Sequence, residues 1–253
     1  MLTSNAAVIL AAGLGTRLSM ISGYLPKPLV PFEGIPLLEH VISGAKHAGI
    51  KRFVIVTGHQ GHVVRRWFAQ SPLHDTQVTW VENPEYHKKN GISLLQARSA
   101  INGPFLLLMS DHIFQPDTAA SLLQQPLAPS EAILAVDHKL DSIFDPDDAT
   151  KVACAGGYVT SIGKNLTSYN AIDTGMFLCS PAVFDALDAV TKEGNCSLSD
   201  GMQRMASNRK LRAYDIEDAV WQDIDTPEML DFAEIQLSRR SSHVPTQEGV
   251  AHV

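Results

Sequence analysis

The apolar positions of the chain fall into runs of two periods. Ala6 to Leu10 is a short apolar run, the pattern of a buried strand. From Ile35 apolar positions recur at helical spacing through Ala48, with Pro36 near the first turn and Gly49 as the stop. Arg52 to Thr57 predicts a second strand, and His62 to Ala69 a helix buried through Val63, Val64, Trp67 and Phe68. Gln77 to Val81 is a third strand. Strand, helix, strand, helix, strand favours a parallel sheet with helices on its faces. A polar loop over 82–91 leads into a helix over 91–100 carrying Ile92, Leu94, Leu95 and Ala97. Phe105 to Met109 is apolar throughout, as expected of a central strand, and stops at Ser110-Asp111-His112. Glu131 to Val136 reads as another strand.

In the second half, 151–162 reads as a hairpin turning at Gly156-Gly157. A strand over 173–179 gives way at Ser180-Pro181 to a helix ending near Thr191. A short helix over 198–206 and a strand over 211–216 follow. The last helix has Thr226 as N-cap and Pro227 in its first turn. Ser238 to Val253 is polar and aperiodic, the composition of a disordered tail. With no repeat and no long linker, one domain over 1–237 is expected.

A hydrophobic fraction of 45% supports a sizeable core. A net charge of −7 and a pI near 5.8 argue against a general nucleic-acid binder. Three scattered cysteines, Cys154, Cys179 and Cys196, make neither a disulfide framework nor a zinc site, and fit a reducing cytoplasm. No basic-then-apolar leader opens the sequence, and no apolar stretch reaches the ~20 residues of a membrane helix, so membrane insertion is not expected. A homodimer is compatible with the sequence, which does not fix the oligomeric state.

The candidate chemistry is concentrated near the N-terminus. The first strand ends in Leu10-Ala11-Ala12-Gly13-Leu14-Gly15-Thr16-Arg17-Leu18. Small residues let backbone amides approach an anion closely. Arg17 adds a planar donor fork suited to phosphate oxygens. Lys27, in Leu25-Pro26-Lys27-Pro28-Leu29, is braced by two prolines. A polyphosphate site is the reading. Leu18 stands where a dinucleotide fingerprint wants a third Gly or Ala, and the Gly-Lys-Ser/Thr of a P-loop is missing. Asp111 follows a strand at its carboxyl end, where ligands bind in open α/β sheets. Asp223 and Asp225 flank Ile224, so an extended backbone turns both to one face.

The whole string resembles the signature of nucleotidyltransferases that join a nucleoside triphosphate to a sugar phosphate or alcohol phosphate. The resemblance implies a Rossmann-like three-layer α/β/α sandwich with a mixed, mostly parallel central sheet, of the nucleotide-diphospho-sugar transferase type. It implies magnesium (Mg2+) held by Asp111 with Asp225 or Asp223, since that ion takes one or two carboxylates plus substrate phosphates. Standing alone, a strand-end Asp would read as a turn or cap residue; the signature reverses that. Arg17 would neutralise the β- and γ-phosphates, Lys27 would bridge the α-phosphate and the incoming phosphate, and amides of Gly13, Gly15 and Thr16 would hold the triphosphate.

Asn90-Gly91-Ile92-Ser93-Leu94-Leu95 is similar to the segment that recognises cytosine in alcohol-phosphate cytidylyltransferases. There the pyrimidine lies over the turn corresponding to Leu10-Ala11-Ala12, and Ser93 would contact its polar edge, with Asn90 nearby. Without that likeness Ser93 would be a surface helix hydroxyl. Leu108-Met109-Ser110-Asp111-His112, Ile162-Gly163-Lys164-Asn165-Leu166 and 169–177 complete a pattern that looks most like inositol-1-phosphate cytidylyltransferases, up to about Arg239. The substrates implied are CTP and an alcohol phosphate. Asp173 would accept from ring hydroxyls beside Asn170, and Lys164 would reach the acceptor phosphate or serve only as a turn lysine. His112 joins this side of the site, where it orients metal-bound water or simply packs. Many members continue into a membrane-embedded transferase; a polar tail here places that step in another polypeptide. Alternatives are choline-phosphate, phosphonate or hexose-1-phosphate nucleotidyl transfer, and a catalytically silent nucleotide-binding protein. A glycosyltransferase is disfavoured because Asp111-His112-Ile113 lacks Asp-x-Asp.

Overall fold

The computed structural model describes residues 5–19 and 25–241. Its elements, in order, are β1 (Ala6–Ala11), α1 (Thr16–Ser19), β2 (Pro31–Phe32), β3 (Ile35–Pro36), α2 (Leu37–His47), β4 (Arg52–Thr57), α3 (Gly61–Phe68), β5 (Gln77–Glu82), α4 (Asn90–Gln96) and β6 (Phe105–Met109). They continue with β7 (His112–Phe114), α5 (Pro116–Leu123), β8 (Ala132–Asp137), β9 (Lys151–Ala155), β10 (Tyr158–Gly163), β11 (Ala171–Cys179), α6 (Ala182–Val190), α7 (Leu198–Ser207), β12 (Leu211–Asp215), β13 (Trp221–Asp223) and α8 (Pro227–Ser241).

The main sheet runs β5-β4-β1-β6-β11-β8-β12-β10-β9. Neighbours from β5 to β6 are parallel, as is the β8–β12 pair, whereas β11 runs antiparallel to both β6 and β8. β9 also pairs with the start of β11, so the second half of the sheet curls back on itself. Alternation along β1 divides the core. Val8 and Leu10 face one layer with α4, α6 and α7; Ala7, Ile9 and Ala11 face the other with α2, α3 and α5. Every residue of β1 is buried, which is why its sequence is continuously apolar. A third cluster, with Leu18, Phe32, Ile113, Ile224 and Met229, ties α1 and α8 to the short strands.

The expected α/β sandwich is present, with local differences, and α5, β7 and β13 are additions to the expected elements. Ile35-Pro36 pairs as β3 and α2 starts at Leu37, because a residue before proline is pushed out of the helical region. The strand expected over 173–179 begins at Ala171, and its register with β8 shifts between Asp173 and Phe177, at the left-handed Gly175 (φ +73°). α8 extends to Ser241, past the boundary expected at 238, and the rest of the expected tail, 242–253, lies outside the described residues. No helix among the described residues is long and apolar enough to cross a membrane.

Candidate active site

The carboxyl ends of β1 and β6 lie side by side, and Ser110 N donates to Leu10 O at 3.1 Å. Beyond β1 the small-residue loop is closely packed. A Cβ on Gly15, whose φ is +60°, would stand 2.6 Å from Lys27 Cβ. The glycine loop and the lysine therefore meet without a side chain between them, as only glycine allows. Lys27 opens a 3-10 turn over Lys27–Leu29, with Pro26 before it and the buried Pro28 after it. α1 carries Arg17 towards the same point.

Lys27 is the hub. Its Nζ donates to Asp111 Oδ2 at 2.5 Å and also to Asp225 Oδ1. Side-chain exposures of 11% for Lys27, 23% for Asp111 and 20% for Asp225 keep most water out of these pairs, so they are far less screened than surface pairs. Arg17 Nη2 donates to Asp225 Oδ2 at 2.7 Å and Nη1 to Asp148 Oδ2 at 3.1 Å. His112 Nδ1 stands 2.8 Å from Asp111 Oδ1, a position from which its N–H donates to the carboxylate. Burial disfavours the Lys27 ammonium, but Asp111 and Asp225 outweigh it and hold the pKa above the ordinary lysine value. Burial likewise opposes the Asp111 charge, and Lys27 and His112 overcome it, keeping the carboxyl far below the usual range. Asp223 goes the other way: burial, with Asp225 and Asp111 nearby, raises it.

A two-stranded ladder brings these acids together across more than a hundred residues. β13 pairs antiparallel with β7, Asp223 opposite His112, and Ile224 N donates to Asp111 O at 2.9 Å. Sequence periodicity did not reveal this ladder, because three residues per strand leave no period to read. It also positions the His112 ring. Trp221 stacks on it at 5.9 Å, 18° between planes, and a Cβ on Gly175 would lie 2.5 Å from it on another side. Trp221 Nε1 in turn donates to the buried Asp137 at 2.9 Å, which also pairs with Lys139 at 2.8 Å. So His112 both packs and bonds Asp111.

A cleft of about 390 Å³ opens beside the hub, lined among others by Asp111, His112, Lys164, Asp173, Asp223 and Asp225. Asp173 Oδ1 accepts from Gly175 N at 2.8 Å; burial pushes its carboxyl up to about 6, against the pull of that N–H and of His112. Lys164 Nζ lies 2.5 Å from Asp148 Oδ1. Asn90 reaches the cleft lining, though its Oδ1 accepts from Leu198 N. Two expected residues are engaged elsewhere. Ser93 is buried and its Oγ accepts from Asn83 Nδ2 at 2.9 Å. Asn170 clasps the β9 backbone, bonding both N and O of Cys154. Asp137, Lys139, Asp148 and Trp221 were not foreseen; none has a local motif, and only the fold brings them to the cleft.

Among the described residues no three His, Cys, Asp or Glu side chains converge as a ready metal-binding group. The donor chemistry nonetheless suits magnesium. Asp111 and Asp225 offer hard carboxylate oxygens on either side of a point where Lys27 already places positive charge.

A 230-residue stretch is 34% identical to a "Bifunctional IPC transferase and DIPP synthase" of Rubrobacter xylanophilus, covering 90% of the chain and 51% of that protein, so the chain spans about half its length. A glucose-1-phosphate cytidylyltransferase of Salmonella typhimurium is 30% identical over 87% of the chain and 91% of its own length. Among solved structures, the inositol-1-phosphate CTP transferase from T. maritima superposes with a TM-score of 0.82 at 24% identity, covering 92% of this chain and 96% of that one, a likeness of fold. Residues 7–208, from the first strand through the end of α7, match one family model, and the chain belongs to that family, the MobA-like NTP transferase domain.

Proposed function

We propose that the chain is a cytidylyltransferase that moves CMP from CTP to an alcohol phosphate, with inositol 1-phosphate the best candidate, giving CDP-inositol and pyrophosphate. The observation that carries this reading is the Lys27 ammonium held between Asp111 and Asp225, with Arg17 beside it at the end of the glycine loop. The IPC transferase relative and the inositol-1-phosphate CTP transferase of like fold support the acceptor. A phosphate monoester is already a nucleophile, so the protein needs only to align it with the α-phosphorus and neutralise charge as pyrophosphate leaves. Lys27 serves the phosphates at the reacting centre, Arg17 the leaving pyrophosphate, and the Gly13–Thr16 amides the triphosphate. Asp111 with Asp225 or Asp223 would hold magnesium, which supplies further charge neutralisation on phosphate oxygens. Lys164 and Asp173 serve the acceptor. A cytoplasmic setting, where Cys154, Cys179 and Cys196 stay reduced, goes with this chemistry.

A second reading, an ammonium-bearing acceptor such as choline phosphate, is favoured by the Phe144 and Phe232 rings, 5.1 Å apart at a cleft that also holds Asp145. One experiment tests both. The protein is incubated with magnesium, each of the four nucleoside triphosphates and a panel of inositol 1-phosphate, choline phosphate, 2-aminoethylphosphonate and glucose 1-phosphate, and pyrophosphate release is followed. CTP with inositol 1-phosphate is expected to be fastest. A site that hydrogen-bonds the cytosine amine rejects uracil by up to ~10⁴. A CTP to UTP ratio near one, or a preference for UTP, would move the protein to the hexose-phosphate branch.

A further inference from the structure

Asp137 is a buried acid that the reaction as proposed does not use. It is only 3% exposed. Its Oδ1 accepts from Lys139 N and pairs with Lys139 Nζ, each at 2.8 Å, and its Oδ2 accepts from Trp221 Nε1 at 2.9 Å. Lys139 Nζ is itself held by Glu217 O at 2.5 Å. A carboxylate taken out of water is costly unless its bonds are made, and here they are made. One of them fixes the polar end of an indole.

The ladder register decides where that indole lies. Trp221 is opposite Phe114 and Asp223 is opposite His112, so Trp221 and His112 are diagonal neighbours on one face of the pair, within reach of each other's rings. They stack, 5.9 Å between centroids and 18° between planes. Gln115 clasps the chain just before Trp221: its Oε1 accepts from Val220 N at 3.1 Å, and its N donates to Val220 O at 3.2 Å. The irregular stretch of β11 closes another side of the imidazole. A Cβ on Gly175 would lie 2.5 Å from both Cδ2 and Nε2 of His112, and Thr174 Oγ1 fastens that stretch to Ala135 O at 2.8 Å.

The ring so held has one visible partner. Asp111 is ionised and can only accept, so His112 Nδ1 carries the hydrogen of their 2.8 Å contact. With Oδ1 engaged there, Oδ2 meets Lys27 Nζ at 2.5 Å. Asp111 and His112 are neighbours in the sequence, and a bond between neighbours fixes the carboxylate only as far as the ring is fixed from elsewhere. We propose that Trp221, anchored by Asp137, is a positioning residue: its indole holds the His112 ring, and through that ring the Asp111 carboxylate, with Oδ2 turned to Lys27. This role rests on the placing of Asp111 and Lys27 at the reacting centre given above.

The test uses Trp221→Leu, which removes the stack, Trp221→Phe, which keeps a ring without the N–H, His112→Ala, and the double variant of Trp221→Leu with His112→Ala. The first readout needs no substrate. In protein carrying isotope-labelled histidine, the NMR signal of the His112 Nδ1–H is assigned by its loss in His112→Ala. In the wild type it should lie downfield and exchange slowly with water. Trp221→Leu should speed that exchange by about 10-fold or more, with Trp221→Phe between the two. A signal unchanged in Trp221→Leu, or already in fast exchange in the wild type, would overturn the role.

The second readout is turnover of CTP with inositol 1-phosphate. Trp221→Leu should lower kcat by about 10–100-fold, the usual effect of losing a group that orients a site ligand, with the acceptor KM nearly unchanged. The double variant should be no slower than His112→Ala alone, because the indole acts through the ring. Losses that multiply, or an acceptor KM that rises equally with and without His112, would make Trp221 a wall of the cleft that touches substrate and overturn the positioning role. If Trp221→Leu does not fold, the same cycle is run with Trp221→Phe, where a loss of about threefold is expected, the size of one weakened hydrogen bond. If the His112 signal responds as expected but no triphosphate turns over with any acceptor, the proposed function fails and Trp221 still positions His112. CTP turnover unaffected by either Trp221 variant would overturn the positioning role and leave the function standing.

Discussion

Lys27 is the residue on which the site turns, and it does two things at once. In the proposed reaction it offers charge to the phosphates, and in the structure it keeps Asp111 and Asp225 from facing each other unneutralised. Lys27→Ala is therefore expected to lower kcat by about 10² or more, because an electrostatic contact at the reacting centre is worth most in the transition state. Triphosphate affinity, measured separately by equilibrium binding, should fall much less; equal losses in the two would remove Lys27 from the reacting centre. Asp173 gives a pH prediction. Burial raises its carboxyl from 3.8 to about 6 in the folded chain. Below pH 4 both states are protonated and the group costs nothing. As pH rises from about 4 to about 6 the unfolded chain loses this proton first, so stability falls, by a few kcal/mol at most, and the cost persists above that window. Asp173→Asn should raise the midpoint of thermal unfolding at pH 7.5 and change it little at pH 4, while lowering turnover if the carboxylate serves the acceptor. No gain at pH 7.5 would mean that Asp173 is as well solvated folded as unfolded. Arg17, Lys27 and the glycine loop were legible because they are close in sequence and their residue types name their chemistry. Asp148 was not, since one aspartate in a polar loop carries no signal until the fold sets Arg17 and Lys164 on either side of it.

Among the elements, β7 and β13 decide whether the acids meet. β7 is held against α2 by Phe114, whose ring would lie 3.1 Å from a Cβ on Gly44. Gly44→Leu should therefore push β7 away from α2 and disturb the Asp111–Asp223 alignment from a distance. The expected cost is about 1–3 kcal/mol of stability from overpacking, seen by denaturant unfolding, with a loss of turnover although Gly44 lies outside the cleft. Full activity in a destabilised variant would show that the ladder tolerates movement of β7. The central strands β1, β4, β6 and β8 were readable in the sequence for a simple reason: each is buried on both faces over most of its length. The short ladder is set by tertiary contacts alone, and the start of α2 moved because Pro36 constrains the residue before it.

At the scale of the molecule, the same strands build two cores. Phe105, fully buried, stacks on Phe184 at 5.7 Å in one layer, while Trp67, Trp80 and Trp221 all pack in the other. Phe105→Ala should cost about 3–5 kcal/mol. Because the two layers share β1, β4, β6 and β8, tryptophan fluorescence should report the same lowered midpoint as far-ultraviolet circular dichroism, though no tryptophan touches the altered layer. Separate midpoints would show that the layers melt independently.

The return of β9 to β11 has a further consequence. β9 is flanked by β10 along its length and by β11 at Lys151 and Val152, and the Asn170 side chain bonds Cys154 N and O beyond them, so the border of the curled half is largely covered. Among the described residues, growth of that sheet by an incoming strand is left to β5, whose outward backbone groups have no ladder partner. Gln77, Thr79 and Glu82 are exposed along it, a polar fringe of the kind that discourages such addition. Among the described residues, strand exchange onto the main sheet would therefore enter at β5, at the opposite border of the sheet from the curled half.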